Sequence, residues 1–280
     1  MPFGFTMCQS DVLNNPHARL PQPPRYPGLD MKPELLDPGR VLDDGSPLTV
    51  GGGVVHVWYF STETAPGIVD HCLRSLSAEE RARAGRFVFE HHRQRFVTAH
   101  GVLRHLLSRY CGTPALRLEF TTRSEGKPVL QGAAAQTRIS FNMAHSGNRA
   151  LAAVGDGREL GADLEKIRPM TDLMEIAQRY FHGSEYLSLD ASDPARRHPA
   201  FFRLWVAKEA VLKAQGIGLG YPLDQFQVPL GCESVPMPIV TIDPERLEKN
   251  WHVRQIDPGE GWAAAICAAG TDWILETPGA

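Results

Sequence analysis

Apolar positions along this chain switch between a period of two and a period near 3.6, and the order of the switches outlines the elements. Val54 to Phe60 reads Val-Val-His-Val-Trp-Tyr-Phe, a β-branched and aromatic run that predicts a strand. Ser77, with Glu80 three residues on, suits the start of a helical region that continues through Arg86. From His91 to Tyr110, Phe96, Leu103, Leu106 and Leu107 share one side of a second helix, which Gly112-Thr113-Pro114 ends. Strands are predicted near Leu116 to Thr121, over Ile139 to Met143 and over Arg149 to Val154. The turn Gly155-Asp156-Gly157 then leads into a strand over Glu159 to Ile167, as a hairpin. Asp172 opens a helix carrying Leu173, Ile176, Ala177, Tyr180 and Phe181, and a short helix begins near Ser184-Glu185. The helix carrying Trp205 stops before the glycine-rich loop at 216–220, and Trp251 to Ile256 pairs with Trp262 to Ala268 across Asp257-Pro258-Gly259.

Residues 1–50 lack such periodicity and are rich in Pro, Gly, Asp and Asn, which predicts a loosely ordered extension. The remainder divides into an N-terminal lobe, 51–155, and a C-terminal lobe, 156–280, each mixing helices with antiparallel strands. Arg149-Ala150-Leu151-Ala152-Ala153-Val154 in the first is echoed by Gly261-Trp262-Ala263-Ala264-Ala265-Ile266-Cys267 in the second, as in a distant duplication. If the halves pack face to face, the strand at 159–167 lies near their junction, where ligand clefts are common.

With 280 residues, 42% of them hydrophobic, and a net charge of −3, the chain can bury a substantial core and carries no global charge that would draw nucleic acid. The longest small-apolar run, Trp262 to Ala269, falls far short of the ~20 residues a membrane helix needs, and no basic-then-apolar leader is recognisable. Cysteines at 8, 72, 111, 232 and 267 are scattered, with no zinc-like or paired spacing, and are expected as reduced, mostly buried thiols of a cytoplasmic protein.

Two segments carry candidate chemistry. In Gly161-Ala162-Asp163-Leu164-Glu165, strand alternation puts Asp163 and Glu165 on one face and Ala162 and Leu164 on the other. In Trp205-Val206-Ala207-Lys208-Glu209-Ala210-Val211-Leu212-Lys213, helical spacing puts Trp205, Glu209 and Lys213 in one stripe, with Lys208 beside it. Alone, Glu209 and Lys213 would be an ordinary surface helix pair, and Asp163 and Glu165 a solvated strand face. Together they suggest three carboxylates around magnesium, with lysine near a phosphate. His91, His92, His100 and His105 show no metal spacing and read as helix surface and packing.

These two segments resemble those of the Sfp-type 4'-phosphopantetheinyl transferases. Further segments in the same order support the resemblance: Ser77-Ala78-Glu79-Glu80-Arg81 with Arg86-Phe87, Gly126-Lys127-Pro128, and Phe141-Asn142-Met143-Ala144-His145-Ser146-Gly147. The resemblance spans about 54 to 270 and implies an α+β fold of two similar pseudo-twofold-related lobes, helices packed on antiparallel strands, with coenzyme A and Mg2+ between them. It implies Asp163, Glu165 and Glu209 as metal carboxylates, and Glu185 as the base toward an incoming serine. It further implies Lys213 near the pyrophosphate and His145 on the coenzyme A phosphates, with Lys208 adding fixed positive charge in a less direct role. Gly126, Lys127 and Pro128 would form the adenine-binding turn, with Arg83 and Arg95 near the 3'-phosphate.

Ala144 stands where a serine often precedes the histidine, and Glu80 where some members have a basic residue. The implied reaction is Mg2+-dependent transfer of the 4'-phosphopantetheine arm to a serine of an apo acyl or peptidyl carrier protein, releasing 3',5'-ADP. A monomer acting on that carrier, without nucleic acid or membrane, is expected. The alternatives are a noncatalytic coenzyme A or carrier-binding module and a Mg2+-dependent pyrophosphate hydrolase.

Overall fold

The computed structural model describes residues 31–43, 45–123, 126–217, 220–228, 237–241 and 250–278. In chain order the elements are helix α1 (Pro38–Asp43), strand β1 (Val54–Ser61), helices α2 (Pro66–Ser75), α3 (Ala78–Ala84) and α4 (Glu90–Cys111), and strands β2 (Glu119–Thr122) and β3 (Pro128–Gln131). Strands β4 (Ile139–Ser146), β5 (Arg149–Asp156) and β6 (Leu160–Lys166) follow, then helices α5 (Leu173–Tyr180), α6 (Gly183–Asp190) and α7 (Pro194–Gln215). The chain continues with the short strands β7 (Phe226–Gln227), β8 (Met237–Pro238) and β9 (Val240–Thr241), then β10 (Trp251–Ile256), β11 (Trp262–Ala269) and β12 (Ile274–Glu276).

Two four-stranded sheets carry the architecture, ordered β12-β1-β5-β4 and β6-β11-β10-β8. In each, a leading strand pairs antiparallel with the second strand of a later hairpin: β1 with β5, and β6 with β11. In each, a 22-residue helix separates that leading strand from the hairpin, α4 in one case and α7 in the other. Both helices end on a left-handed glycine, Gly112 and Gly216, whose N–H bonds back to the carbonyl four residues earlier. The fold is therefore α+β, built from one repeated topology.

Alternation along the strands gives each sheet two apolar faces. One face of the first sheet, with Trp58, Phe60, Ala152 and Val154, packs under α2 and α4. One face of the second, with Ala263, Ala265 and Cys267, packs under α5 to α7. The remaining faces meet in a shared core of Val57, Tyr59, Leu151, Ala162, Leu164 and Ile266. The order is thus helices, sheet, sheet, helices. Arg149 fastens the two sheets beside this core. Its Nη1 donates to Tyr59 Oη and, at 3.1 Å, to the Pro258 carbonyl, and its guanidinium lies 4.6 Å from the Trp262 ring centroid. Arg149→Ala should lower the free energy of unfolding in urea by about 1–2 kcal/mol, through lost hydrogen bonds and cation–π contact.

Two expectations are corrected, and one helix proves longer than its pattern shows. The β5–β6 hairpin does not form: β5 is already paired on both edges, with β1 and β4, so β6 passes to the second sheet. The α7 helix begins at Pro194 with an Asp193 cap, well before Trp205; Pro199 within it masks the periodicity. Part of the N-terminal extension is packed rather than loose: Leu36 bridges Phe60, and α1 buries Val41 in the first helical core. The first 30 residues lie outside the described ones. At the other end of the chain, β12 returns to the first sheet, parallel to β1. No helix among the described residues is long and apolar enough to cross a membrane. Cys72, Cys111 and Cys267 form no disulfide among the described residues, and burial pushes Cys72 up to about 12; Cys8 and Cys232 lie outside the described residues.

Candidate active site

The edge strands β4 and β6 meet without a backbone ladder, joined by side chains. Asn142 Oδ1 accepts the Ala162 N–H at 2.9 Å, and Ser146 Oγ accepts the Lys166 N–H at 3.2 Å while donating to Glu165 Oε2 at 2.7 Å. On β6, Ala162 and Leu164 enter the shared core, so the opposite face turns Asp163 toward α7. Close approach of the helix depends on Gly161. A Cβ there would stand 2.2 Å from the Ala210 carbonyl oxygen and 2.3 Å from the Ala214 nitrogen.

That approach delivers the stripe on α7. Lys213 Nζ donates to Asp163 Oδ1 at 2.5 Å. Asp163 Oδ2 and Glu209 Oε1 are buried with no hydrogen-bond partner among the described residues. Burial raises the Asp163 carboxyl above its usual range, and Lys213 offsets this only in part. Burial, and then the charges of Asp163 and Glu165, raises Glu209 to about 7. Carboxylate oxygens crowded together and left without donors call for a cation.

A cationic wall stands opposite. Arg83 lies 5.1 Å over the Phe96 ring, and His100 packs on the same ring at 4.1 Å between centroids. His145 reaches solvent with part of its surface. Even so, the protein packed around its imidazole, and after that the charges of His100, Lys213 and Arg83, lower it to about 4. Beyond burial, the nearness of Arg83 and Lys213 weakens the hold of His145 on a proton, and a place where cations crowd in this way suits an anion. The structure thus brings together Asp163, Glu165, Glu209, Lys213, His145 and Arg83 of the expected set.

Others are placed differently. Glu185 is 2% exposed and spends both oxygens inside the protein: Oε1 accepts the Val228 N–H at 2.8 Å, and Oε2 the His182 N–H at 3.0 Å. Its partner is Lys208, fully buried, whose Nζ stands 2.8 Å from Glu185 Oε2. Lys208 also donates to the carbonyls of Leu223 and Phe226, at 2.8 and 2.7 Å. Glu185, expected as base, and Lys208, expected as a phosphate contact, are thus set against each other away from solvent, each charge offsetting the other. Lys127, expected in the adenine-binding turn, turns its amine inward. Its Nζ donates to the carbonyls of Leu160 and Ala214, at 2.9 and 2.7 Å, so Gly126 and Pro128 offer backbone and ring surface while the amine ties the turn to β6 and α7. Arg95 is held by Glu63, which Asn148 also contacts.

Sequence reasoning missed His100, although it stands one helical turn after Phe96 on the same face. Glu80 makes a capping box with Ser77 and pairs with Arg104 at 2.7 Å. Burial alone would raise its carboxyl, but His100, Ser77 and Arg104 outweigh that and hold it at about 2.

Two family models match the chain: the 4'-phosphopantetheinyl transferase superfamily over residues 159–267, and the N-terminal part of a 4'-phosphopantetheinyl transferase over 65–155. The 4'-phosphopantetheinyl transferase HetI of Nostoc sp. is 34% identical over 228 residues, covering 81% of this chain and 92% of the relative. A 4'-phosphopantetheinyl transferase of Bacillus subtilis is 30% identical over 215 residues, 77% of this chain and 92% of its own length. The transferase Sfp of Bacillus subtilis strain 168 is 30% identical over 198 residues, 71% and 84% respectively. With the carboxylates of β6 and α7 set against a cationic wall inside the matched regions, the chain belongs to the 4'-phosphopantetheinyl transferase superfamily and is a transferase.

Proposed function

We propose that the protein moves the 4'-phosphopantetheine arm of coenzyme A onto a serine of an apo acyl or peptidyl carrier protein, releasing 3',5'-ADP. The observation that carries this is the pair of buried, unpartnered oxygens, Asp163 Oδ2 and Glu209 Oε1, beside Lys213, whose charge together with that of Arg83 also reaches His145.

Among the described residues no three His, Cys, Asp or Glu groups stand close enough to cage a metal by themselves. Mg2+ takes one or two carboxylates and fills its shell with substrate phosphate oxygens and water; the unpartnered Asp163 Oδ2 and Glu209 Oε1 would supply the carboxylate oxygens. Asp163 and Glu209, with Glu165 next to them, would hold it, and its chemistry there would be neutralisation of the diphosphate. Lys213 adds a fixed positive charge at the phosphate to be released. Arg83 and His145 bind and orient the remaining anionic groups, and the 126–128 turn receives the base. With Glu185 committed to Lys208, the serine proton would pass to water at the seam, since a Glu209 carboxylate bound to the ion loses the basicity it has without it. The two halves, 51–155 and 156–280, are the proposed lobes around this seam, except that β12 of the second half joins the sheet of the first, in a monomeric cytoplasmic enzyme.

Incubation of the full chain with coenzyme A, MgCl2 and a panel of apo carrier proteins should add one phosphopantetheine to each accepted carrier, read by intact mass, and a chelator should stop it. Unchanged carriers across the panel would refute the proposal. Free 4'-phosphopantetheine formed without any carrier would make the protein a hydrolase instead.

A further inference from the structure

The ion pair of Glu185 and Lys208 occurs twice in this molecule. Glu80 is the third residue of α3, and its carboxylate accepts the N–H of the capping Ser77 at 2.8 Å. Glu185 is the third residue of α6 and does the same for His182 at 3.0 Å. Each glutamate then meets a cation at the fifteenth position of the 22-residue helix that follows, Arg104 at 2.7 Å in α4 and Lys208 at 2.8 Å in α7. Each cation continues to two backbone carbonyls three residues apart beyond its helix. For Arg104 these are Ala115 and Leu118, at 2.7 and 3.0 Å; for Lys208 they are Leu223 and Phe226. Each also lies over a phenylalanine ring, Phe120 at 4.9 Å and Phe226 at 4.3 Å.

The first copy belongs to the half whose leading strand, Val54–Ser61, carries no carboxylate. A device repeated where there is no acidic strand has a task other than proton transfer. Helical geometry shows what that task is on α7. At about 100° per residue, Lys208 projects about 160° away from Ala210, the residue that abuts Gly161, and Glu209 lies between them. The helix is held on two opposite sides, and the stripe of Glu209 and Lys213 lies in the gap.

We infer that Glu185 and Lys208 are positioning residues, a clamp that sets the rotation of α7 and with it the placement of Glu209 and Lys213 against Asp163. The inference deepens the proposed function and rests on it for its kinetic readout.

A double-mutant cycle tests it, using Glu185→Gln, Lys208→Met and both together in the full chain. Four quantities are followed: kcat and KM for carrier modification, the pH profile of kcat, and amide hydrogen exchange over residues 205–215. Each single variant leaves one buried charge alone and should lower kcat at least 10-fold, leave KM for the carrier unchanged, and speed exchange in α7. The double variant leaves no unpaired charge; its kcat loss should not exceed that of the worse single, with the wild-type pH profile kept. Losses that multiply in the double variant, a pH limb that disappears in it, or singles with wild-type kcat or wild-type exchange would each overturn the clamp. Should a single variant fail to fold, the double variant still decides by its kcat and pH profile. Should the wild type modify no carrier, hydrogen exchange judges the clamp while the functional reading falls separately.

Discussion

Glu209→Gln should reduce carrier modification by about 1,000-fold or more, and at the same time make the metal-free protein more stable at pH 8. The opposite signs have one cause. Glu209 is buried among Asp163 and Glu165, which raises it from the usual 4.5 to about 7. Between those two values the folded state holds a proton that the unfolded chain has released, so stability falls as pH rises through this window. Above pH 7 the whole penalty is present, at most about 3 kcal/mol for a shift of this size. The neutral amide removes it. Melting in chelator should therefore show the variant a few degrees above wild type at pH 8, with the gap closing toward pH 4.5. Saturating MgCl2 should reverse the order, because only the carboxylate gains from the ion. A variant that melts lower than wild type at pH 8 in chelator, or that keeps near-normal activity, would remove Glu209 from the site.

Gly161→Ala is expected to cost nearly as much activity without touching any charged group. The added methyl meets backbone atoms of α7 at 2.2 and 2.3 Å, and backbone cannot swing aside as a side chain can, so the helix has to shift outward. Displacement by about 1 Å is enough to lose about 100-fold in rate when the helix carries the reacting groups. Overpacking should also remove about 1–3 kcal/mol of stability. Gly183→Ala is the control, since its methyl would meet nothing within 4 Å. Full activity in Gly161→Ala would show that the contact of α7 with β6 does not set the site.

Much of this chain was legible as sequence wherever the information is local. Alternation placed Asp163 and Glu165 opposite Ala162 and Leu164, and burial follows that split. Helical spacing gave the Glu209 and Lys213 stripe, and the turn at 257–259 gave the last hairpin. Even the repeat is visible, in that Ser77 with Glu80 and His182 with Glu185 keep the same three-residue spacing.

Which way a charged side chain faces was decided only in three dimensions. Lys208 and Lys213 are both lysines on one helix, yet Lys208 is sealed against Glu185 and two carbonyls, while Lys213 reaches Asp163 at the seam. Lys127 looks like a solvated turn lysine until the carbonyls of Leu160 and Ala214 come within reach. The partner of β5 was settled in the same way, by β1 and β4 occupying its edges before β6 could. Periodicity fixes a residue's angle around its own element, but burial and pairing depend on what packs against that element from far along the chain, and no local pattern encodes it.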